Sequence, residues 1–154
     1  MLLNNRTISI ADREKLLPAL DQARQSWLTY APYLDLFQAE LRRTQGVPSQ
    51  EIPDNVITMN SRFTISESPV GRELCYTLVY PEDEARHLHR VSVLSPIGAA
   101  LLGARVGEDI AWHSSAGPEA ATVRSLLYQP ERIRKEHMEG AGATSADRKE
   151  MVVS

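Results

Sequence analysis

The sequence has a single cysteine, few aromatic residues and no strong excess of charge, and each shortage excludes a class of protein. Cys75 is the only cysteine among 154 residues, so the chain has no internal disulfide and suits a reducing compartment. The formal net charge is -3, which gives no general attraction for phosphate backbones. We therefore expect no stable, sequence-specific binding of nucleic acid.

Long apolar runs are also missing. No stretch approaches the roughly 20 apolar residues that span a bilayer, and residues 1–10 lack the apolar segment of a signal peptide. We therefore expect a cytoplasmic protein with no membrane partner. The composition, with 42% hydrophobic and 24% charged residues, is typical of a globular domain with a real core.

The N-terminal part of the chain predicts two short amphipathic helices. Apolar residues recur at helical spacing in two runs, which are Leu16, Leu20, Ala23 and Trp27, and then Tyr30, Leu34, Phe37 and Leu41. Ser9 and Asp12 resemble a capping box at the start of the first helix, which either kinks or begins at Pro18. Pro32 separates the runs, so we predict a short antiparallel helical hairpin over residues 7–45. The apolar stripe fits a core face or a hairpin seam equally well.

The pattern then changes from helical to β-rich. Residues 46–55 are rich in proline and polar residues and predict a linker. Five β-prone runs follow, at residues 56–65, 73–80, 90–94, 109–114 and 121–128, with one helical piece between the third and the fourth. This order predicts an α+β domain over residues 56–131, with a mostly antiparallel sheet and one helix. Residues 132–154 are charged and then small, which predicts a mobile tail.

The most informative stretch joins the third run to the helical piece. Ser95 stands where a helix N-cap belongs, and Pro96 follows at the first helical position. Gly103 ends the helix and is expected to take a positive φ. The residues alone therefore predict a strand-helix corner, and this local interpretation is complete without any function.

The amino-acid sequence of this corner resembles that of a known protein family. Ser-Pro-Ile-Gly-Ala-Ala-Leu-Leu-Gly at residues 95–103, followed by Val-Gly-Glu-Asp, is similar to the C-terminal domain of the bacterial Gre transcript-cleavage factors, GreA and GreB. Val-Ile-Thr-Met-Asn-Ser-Arg at residues 56–62, Tyr-Thr-Leu-Val-Tyr-Pro at 76–81 and Tyr-Gln-Pro-Glu at 128–131 resemble the related Rnk group, the regulators of nucleoside diphosphate kinase. The resemblance spans residues 7–131.

The resemblance implies an FKBP-like C-terminal domain that docks on RNA polymerase near the rim of its secondary channel, with the helical hairpin pointing into that channel. The corner would supply the docking residues Ser95, Pro96, Ile97 and Gly98. At the hairpin, the candidate contact residues are Trp27, Tyr30, Tyr33 and Asp35. Whether the protein forms an oligomer is left open.

The resemblance also implies a test for cleavage activity. In Gre factors two acidic residues at the hairpin tip hold a magnesium ion in the polymerase active site. Residues 26–34 contain no carboxylate here, and each predicted helix reaches only about 22 Å, so the chain resembles Rnk more than Gre. We therefore predict a non-enzymatic regulator that does not stimulate transcript cleavage, with no catalytic residue, cofactor or metal site.

Three further features receive a structural interpretation. His87 and His89 have spacing that a metal site could use, although a solvated loop is the favoured interpretation. Cys75 is expected to be a small buried side chain and Trp112 a core residue. The alternatives that remain are a prolyl isomerase built on an FKBP-like fold and a regulator that acts on a partner other than polymerase.

Overall fold

The computed structural model describes residues 6–26, 32–67 and 71–141, which form a mixed α+β fold. The helices are α1 (Ile10–Gln25), α2 (Pro32–Arg43), α3 (Pro96–Leu101) and α4 (Pro130–Ala141). The strands are β1 (Arg62–Glu67), β2 (Arg72–Val79), β3 (Arg90–Ser92), β4 (Asp109–Ser114) and β5 (Gly117–Tyr128). The predicted class is confirmed, because two helices precede a five-stranded sheet.

The sheet has the strand order β3-β2-β1-β5-β4. Only the β2–β3 pair is parallel, so the prediction of a mostly antiparallel sheet is confirmed. The predicted strand over residues 56–65 begins later than expected, at Arg62. The amide of Thr58 donates to the hydroxyl of Ser61 at 2.9 Å, and Asn60 has a φ of 67°, so a tight turn occupies the start of that run.

Helix α1 starts at a side-chain cap. The hydroxyl of Ser9 accepts a hydrogen bond from the amide of Asp12 at 3.0 Å, as the capping box predicted. The alternative that this helix begins at Pro18 is wrong, because Pro18 lies inside it. A proline there loses one helical hydrogen bond, and burial of the Leu16 and Leu20 side chains offsets that loss.

The two N-terminal helices run in opposite directions. At the start of α1, the guanidinium of Arg13 donates to the carbonyls of Leu41 and Thr44 at the end of α2, at 3.0 and 2.9 Å. At the end of α1, the guanidinium of Arg24 lies 3.0 Å from the Asp35 carboxylate in the first turn of α2. The Arg13 contacts place a cation at the carbonyls of the α2 C-terminus that have no partner within the helix.

One hydrophobic core runs through the helices and the sheet. The helices contribute Leu16, Leu20, Leu34, Phe37 and Leu41, and the sheet contributes Phe63, Ile65, Leu78 and Val123. The described residues of the helical stripe therefore lie in a core that residues 7–45 share with residues 56–131. The predicted linker is also packed against the rest of the chain, because Ile52 is 0% exposed and the amide of Val47 donates to the carbonyl of Ile8 at 3.0 Å.

The predicted mobile tail over residues 132–154 needs a correction at its beginning. Helix α4 continues through this stretch to Ala141, and residues 142–154 lie outside the described part of the chain. Pro130 opens the helix, and the buried carboxylate of Glu131 accepts a hydrogen bond from the Thr58 hydroxyl at 2.7 Å. This anchor holds the first turn against the domain.

Three single-residue predictions have mixed outcomes. Gly103 has a φ of 78°, which confirms the left-handed conformation at the end of α3. Cys75 is exposed rather than buried, because it pairs with Thr64 and points away from the core face of the sheet. Trp112 is half-buried at the edge of the core.

No helix within the described ranges is long and apolar enough to cross a membrane.

Candidate functional site

The strand-helix corner that the sequence singled out is held by one serine. The hydroxyl of Ser95 accepts from the amide of Gly98 at 3.1 Å and donates to the carbonyl of Ser92 at 2.6 Å. Pro96 follows as the first residue of α3 and is exposed. A single side chain thus joins the end of β3 to the start of α3 and fixes where Pro96 is displayed.

Not every residue of this corner can touch a partner. Gly98 is buried, and a Cβ atom at this position would lie 1.9 Å from the carbonyl oxygen of Ser92. Its assignment as a contact residue therefore needs correction, because glycine is required there by the close approach of the chain to itself. Ile97 is half-buried against the core. Pro96 and part of Ser95 remain as the accessible surface of the corner.

Helix α2 reaches the same corner and brings an aromatic residue to it. The hydroxyl of Tyr33 donates to the carbonyl of Leu94, and burial, followed by the nearby carboxylate of Glu84, raises the pKa of Tyr33 to about 12. The hydroxyl therefore stays protonated and able to donate. Beside this contact lies a cavity of about 230 Å³, whose lining includes Tyr33, Leu36, Pro96, Ala99, Trp112 and His113.

A second cavity borders the corner at Leu94 and Ser95. Its volume is about 650 Å³, and its walls include Ala19, Ala23 and Leu34 of the helices and Pro81, Glu82 and Glu84 of the segment after β2. The amide of Ser92 donates to the Glu84 carboxylate at 3.3 Å, which holds this wall against β3. The corner thus borders two concave surfaces: Pro96 lines the mostly apolar one, and Leu94 and Ser95 line the one with an acidic rim. We call the exposed Pro96 of this corner the ridge.

The carboxylates of the helix pair are engaged with neighbouring side chains. Asp35 lies 3.0 Å from the guanidinium of Arg24, and Asp21 lies 3.5 Å from the guanidinium of Arg42. Asp21 also accepts a hydrogen bond from the amide of Gln38 at 2.5 Å. Each acid therefore contributes to the junction between α1 and α2 through its own arginine partner.

Two of the four predicted hairpin residues lie in the described part of the chain. Tyr33 and Asp35 lie in the first turn of α2, whereas Trp27 and Tyr30 lie outside the described residues. Tyr33 meets the corner residues through Leu94, as described above, and Asp35 faces α1 instead. Of the predicted hairpin residues that the structure describes, Tyr33 therefore contacts the predicted docking corner and Asp35 does not.

The loop with the two histidines does not form a metal site in the structure. His87 and His89 are exposed, and the ring of His89 is 3.1 Å from the carbonyl oxygen of Cys75 and stacks at 5.3 Å on Tyr76. Among the residues described, no group of three or more His, Cys, Asp or Glu side chains is placed to hold a metal ion.

A buried polar cluster escaped the sequence analysis. The hydroxyl of Thr58 bonds to both Ser61 at 2.9 Å and Glu131 at 2.7 Å, and the amide of Met59 donates to Asp12 at 3.2 Å. Burial, and then the carboxylate of Glu131, raise the pKa of Asp12 from 3.8 to about 6. The cluster ties α1 and α4 to the turn before β1, and its residues are too far apart in sequence for a local motif to reveal it.

Comparison with known proteins identifies a family whose model matches half of this chain. The family model "Transcription elongation factor, GreA/GreB, C-term" matches residues 52–128, a range that includes the corner, both of its glycines and the whole sheet. The helices α1 and α2 lie outside this match. The part of the chain with the clearest sequence signal is therefore the part that the family model covers.

Individual relatives extend the similarity beyond the 77 residues that the family model matches. The chain is 38% identical over 125 residues to the regulator of nucleoside diphosphate kinase of Escherichia coli K12, covering 80% of this chain and 90% of that protein. It is 28% identical over 82 residues to GreA of Syntrophus aciditrophicus, of which it covers only 51%. The solved structure of a GreA/GreB elongation factor from Nitrosomonas europaea aligns with a TM-score of 0.68 at 34% identity, covering 80% of this chain and all of that one.

Proposed function

Because this chain belongs to the GreA/GreB C-terminal family and is most like its Rnk-type members among the relatives described, we propose that it regulates transcription by binding RNA polymerase. Elongation factors of this family act on the polymerase, and the family match includes the corner at residues 95–98. Binding to polymerase would place the protein in the cytoplasm. The FKBP-like character of the sheet domain is part of the same proposal.

The observation that carries this proposal is the ridge formed by Pro96. A rigid, exposed residue beside a concave surface is a suitable anchor for a protein partner, because binding energy concentrates where rigid groups and pockets meet. Ser95 fixes the ridge through two hydrogen bonds, and Tyr33 fixes the adjoining backbone at Leu94. Little conformational entropy would therefore be lost when a partner docks.

We further propose that the protein does not stimulate transcript cleavage. A magnesium ion held against phosphate and water requires clustered oxygen ligands in fixed geometry. Residues 26–34 contain no carboxylate, and Asp35 is ion-paired with Arg24 at 3.0 Å. The apolar faces of both helices are committed to the core through residues such as Leu20 and Phe37. These features favour occupancy of the polymerase surface without catalysis.

The partner can be tested with the full-length chain and core RNA polymerase of the same host. Pro96→Glu adds a charge to the ridge at the first position of a helix, where a carboxylate is well tolerated. We expect the wild type to bind in a pull-down and by surface plasmon resonance, and the variant to bind at least about tenfold more weakly. Pro48→Glu is the matched control, because Pro48 is exposed and lines neither cavity.

Two results would count against the proposal in different ways. If the folded wild-type chain does not bind polymerase, the partner is wrong, and a regulator that acts on another protein becomes the better interpretation. If Pro96→Glu and Pro48→Glu weaken binding equally, the partner stands but the ridge is not the docking surface. Circular dichroism of both variants establishes that the fold is retained.

The alternative of a prolyl isomerase finds no support in the described residues. Such catalysis uses an open pocket lined by aromatic side chains, and the two phenylalanines of the chain, Phe37 and Phe63, are both 0% exposed. Tyr33 and Trp112 border the cavity of about 230 Å³ beside the ridge, and Trp112 also borders a cavity of about 540 Å³ whose other lining residues carry no aromatic ring. A standard proline-peptide isomerisation assay tests the alternative directly, and we expect no rate above background.

A further inference from the structure

The outer face of the sheet carries a row of residues whose chemistry the proposed function does not use. Arg62 pairs with Thr77 on one side and with Tyr128 on the other, and Thr77 pairs in turn with Arg90. Paired residues on neighbouring strands point to the same face of a sheet, and Tyr128 pairs with Arg62 at a register shift in which Leu127 is the extra residue of β5. Phe63, the next residue along β1, is fully buried, so this row faces away from the core. We call these four residues the arginine row.

The arginine row is accessible and positively charged. Arg62 and Arg90 are exposed, and neither takes part in any of the salt bridges found among the described residues. Strands lie about 4.8 Å apart, so the two arginines stand about 10 Å apart on either side of Thr77. Two cations and a hydroxyl group therefore face solvent within one short line.

Carboxylates of the sheet lie too far away to neutralise this line. Within the sheet, the first acidic residue along the same face is Glu73, four residues before Thr77 on β2. At about 3.3 Å per residue this separation is about 13 Å. The Debye length at physiological salt is about 8 Å, so the Glu73 carboxylate is largely screened from Arg62 and Arg90. Glu84 precedes the Ala85 that bridges to Arg90 and accepts a hydrogen bond from the amide of Ser92, so the Arg62 end of the row carries the stronger positive potential.

An exposed aromatic ring and a third cation complete the end of the row. Tyr128 is 40% exposed and its neighbour Leu127 is 49% exposed, both unusual for large side chains on a sheet. Arg132 in the first turn of α4 donates to the carbonyl of Leu127 at 3.4 Å, which places its guanidinium beside the same strand end. Tyr128 thus pairs with Arg62 across the sheet, and the guanidinium of Arg132 contacts the residue that precedes it.

We propose that the arginine row binds single-stranded RNA without sequence preference. Single strands are held by cations that meet phosphates and by aromatic rings on which bases stack, and this surface offers both within one row. An acidic peptide would satisfy the arginines but would leave the exposed ring of Tyr128 without a role. The inference does not depend on binding to polymerase, since the surface lies on the sheet and excludes the Pro96 ridge.

The interaction is expected to be weak and sensitive to salt. Non-specific complexes typically have dissociation constants of about 10⁻⁴ to 10⁻⁶ M, and each phosphate contact on a single strand contributes about 0.7 to the slope of log affinity against log salt. Arg62, Arg90 and Arg132 together predict a slope of about -2. This range agrees with the overall charge of -3, which disfavours tight binding.

The test is fluorescence anisotropy with the full-length chain and labelled oligouridylate of eight nucleotides, in about 50 to 200 mM salt. We expect binding with the predicted slope, and a loss of about 1.4 in that slope for the double variant Arg62→Gln/Arg90→Gln. Arg72→Gln/Arg43→Gln removes the same charge from exposed positions outside the row and serves as the control. Tyr128→Ala should weaken binding about tenfold, whereas Tyr128→Phe should leave it unchanged.

Several outcomes would overturn the proposal. Equal losses in the two arginine double variants would mean that only net charge matters. A wild-type affinity for polyglutamate equal to that for RNA, with no effect of Tyr128→Ala, would identify the row as a surface for acidic peptides instead. Duplex RNA bound as tightly as the single strand would rule out stacking on Tyr128. Single-stranded DNA of equal length shows whether the sugar contributes, and preference for DNA would overturn the assignment to RNA.

Discussion

The shared core makes Leu20→Ala an informative substitution. Leu20 lies in the middle of α1, is 0% exposed and belongs to the same buried cluster as Phe63 of the sheet. The substitution removes three carbon atoms, which costs about 2.4 kcal/mol in transfer free energy alone. The cavity that remains raises the total to about 3 kcal/mol or more. For a chain of this size, such a loss lowers Tm by about 6 to 12 °C.

The assay must report on the helices and the sheet separately. Urea denaturation followed by circular dichroism gives the total loss, and hydrogen exchange resolves it along the chain. If the helices and the sheet form one cooperative unit, the amides of β1 lose as much protection as those of α1. Leu36→Ala is the control, because Leu36 lies on α2 but is 46% exposed, and it should change stability by no more than about 0.5 kcal/mol. Loss of protection in α1 and α2 alone, with β1 unchanged, would refute the shared core.

Three further outcomes are expected. Gly103→Ala should destabilise the fold more than Gly71→Ala in urea denaturation. Both glycines have a positive φ, but a Cβ at Gly103 would also lie 3.0 Å from the Arg6 side chain. Equal losses of about 1 kcal/mol would mean that the positive φ alone accounts for the cost and that the contact with Arg6 adds nothing. The folded chain keeps a proton on Asp12 that the unfolded chain releases, so the raised pKa lowers the free energy of unfolding as the pH rises from about 4 to about 6. Urea denaturation at about pH 4 and at about pH 6 measures this fall, and Asp12→Asn should remove it. In backtracked elongation complexes, saturating protein should not shorten a labelled transcript above the intrinsic rate but should compete with a Gre factor; shortening that Asp35→Ala abolishes would show that the protein is catalytic after all.

Local signals in the sequence were sufficient for the corner. Ser95 and Pro96 identified the start of α3, Gly103 its end, and β4 lies where alternation placed it. Each of these features depends on the backbone preference of one or two residues, which a single sequence records. The strand predicted from residue 56 failed for the same kind of reason, because the turn at Asn60 interrupts an otherwise β-prone run.

Contacts between distant parts of the chain could not be predicted. Tyr33 meets Leu94 across 61 residues, and Thr58 meets Glu131 across 73. The apolar stripe of α1 also looks the same whether it faces a partner helix or a sheet, so periodicity could not show that the helices share the core of the domain. Cys75 was misplaced because its face of β2 depends on pairing with Thr64.

The shared core also restricts where the helix pair can change length. An insertion of a few residues near Leu16 or Leu34 would rotate the following residues by about 100° each and turn buried side chains towards water. Seven residues added after Gln25, matched by seven before Pro32, would complete nearly two turns on each helix and keep every buried position on its face. The pair would then extend by roughly 10 Å without disturbing the sheet. A short and a long version of this architecture are therefore separated by one paired insertion at that end, which gives both evolution and protein engineering a simple route between them.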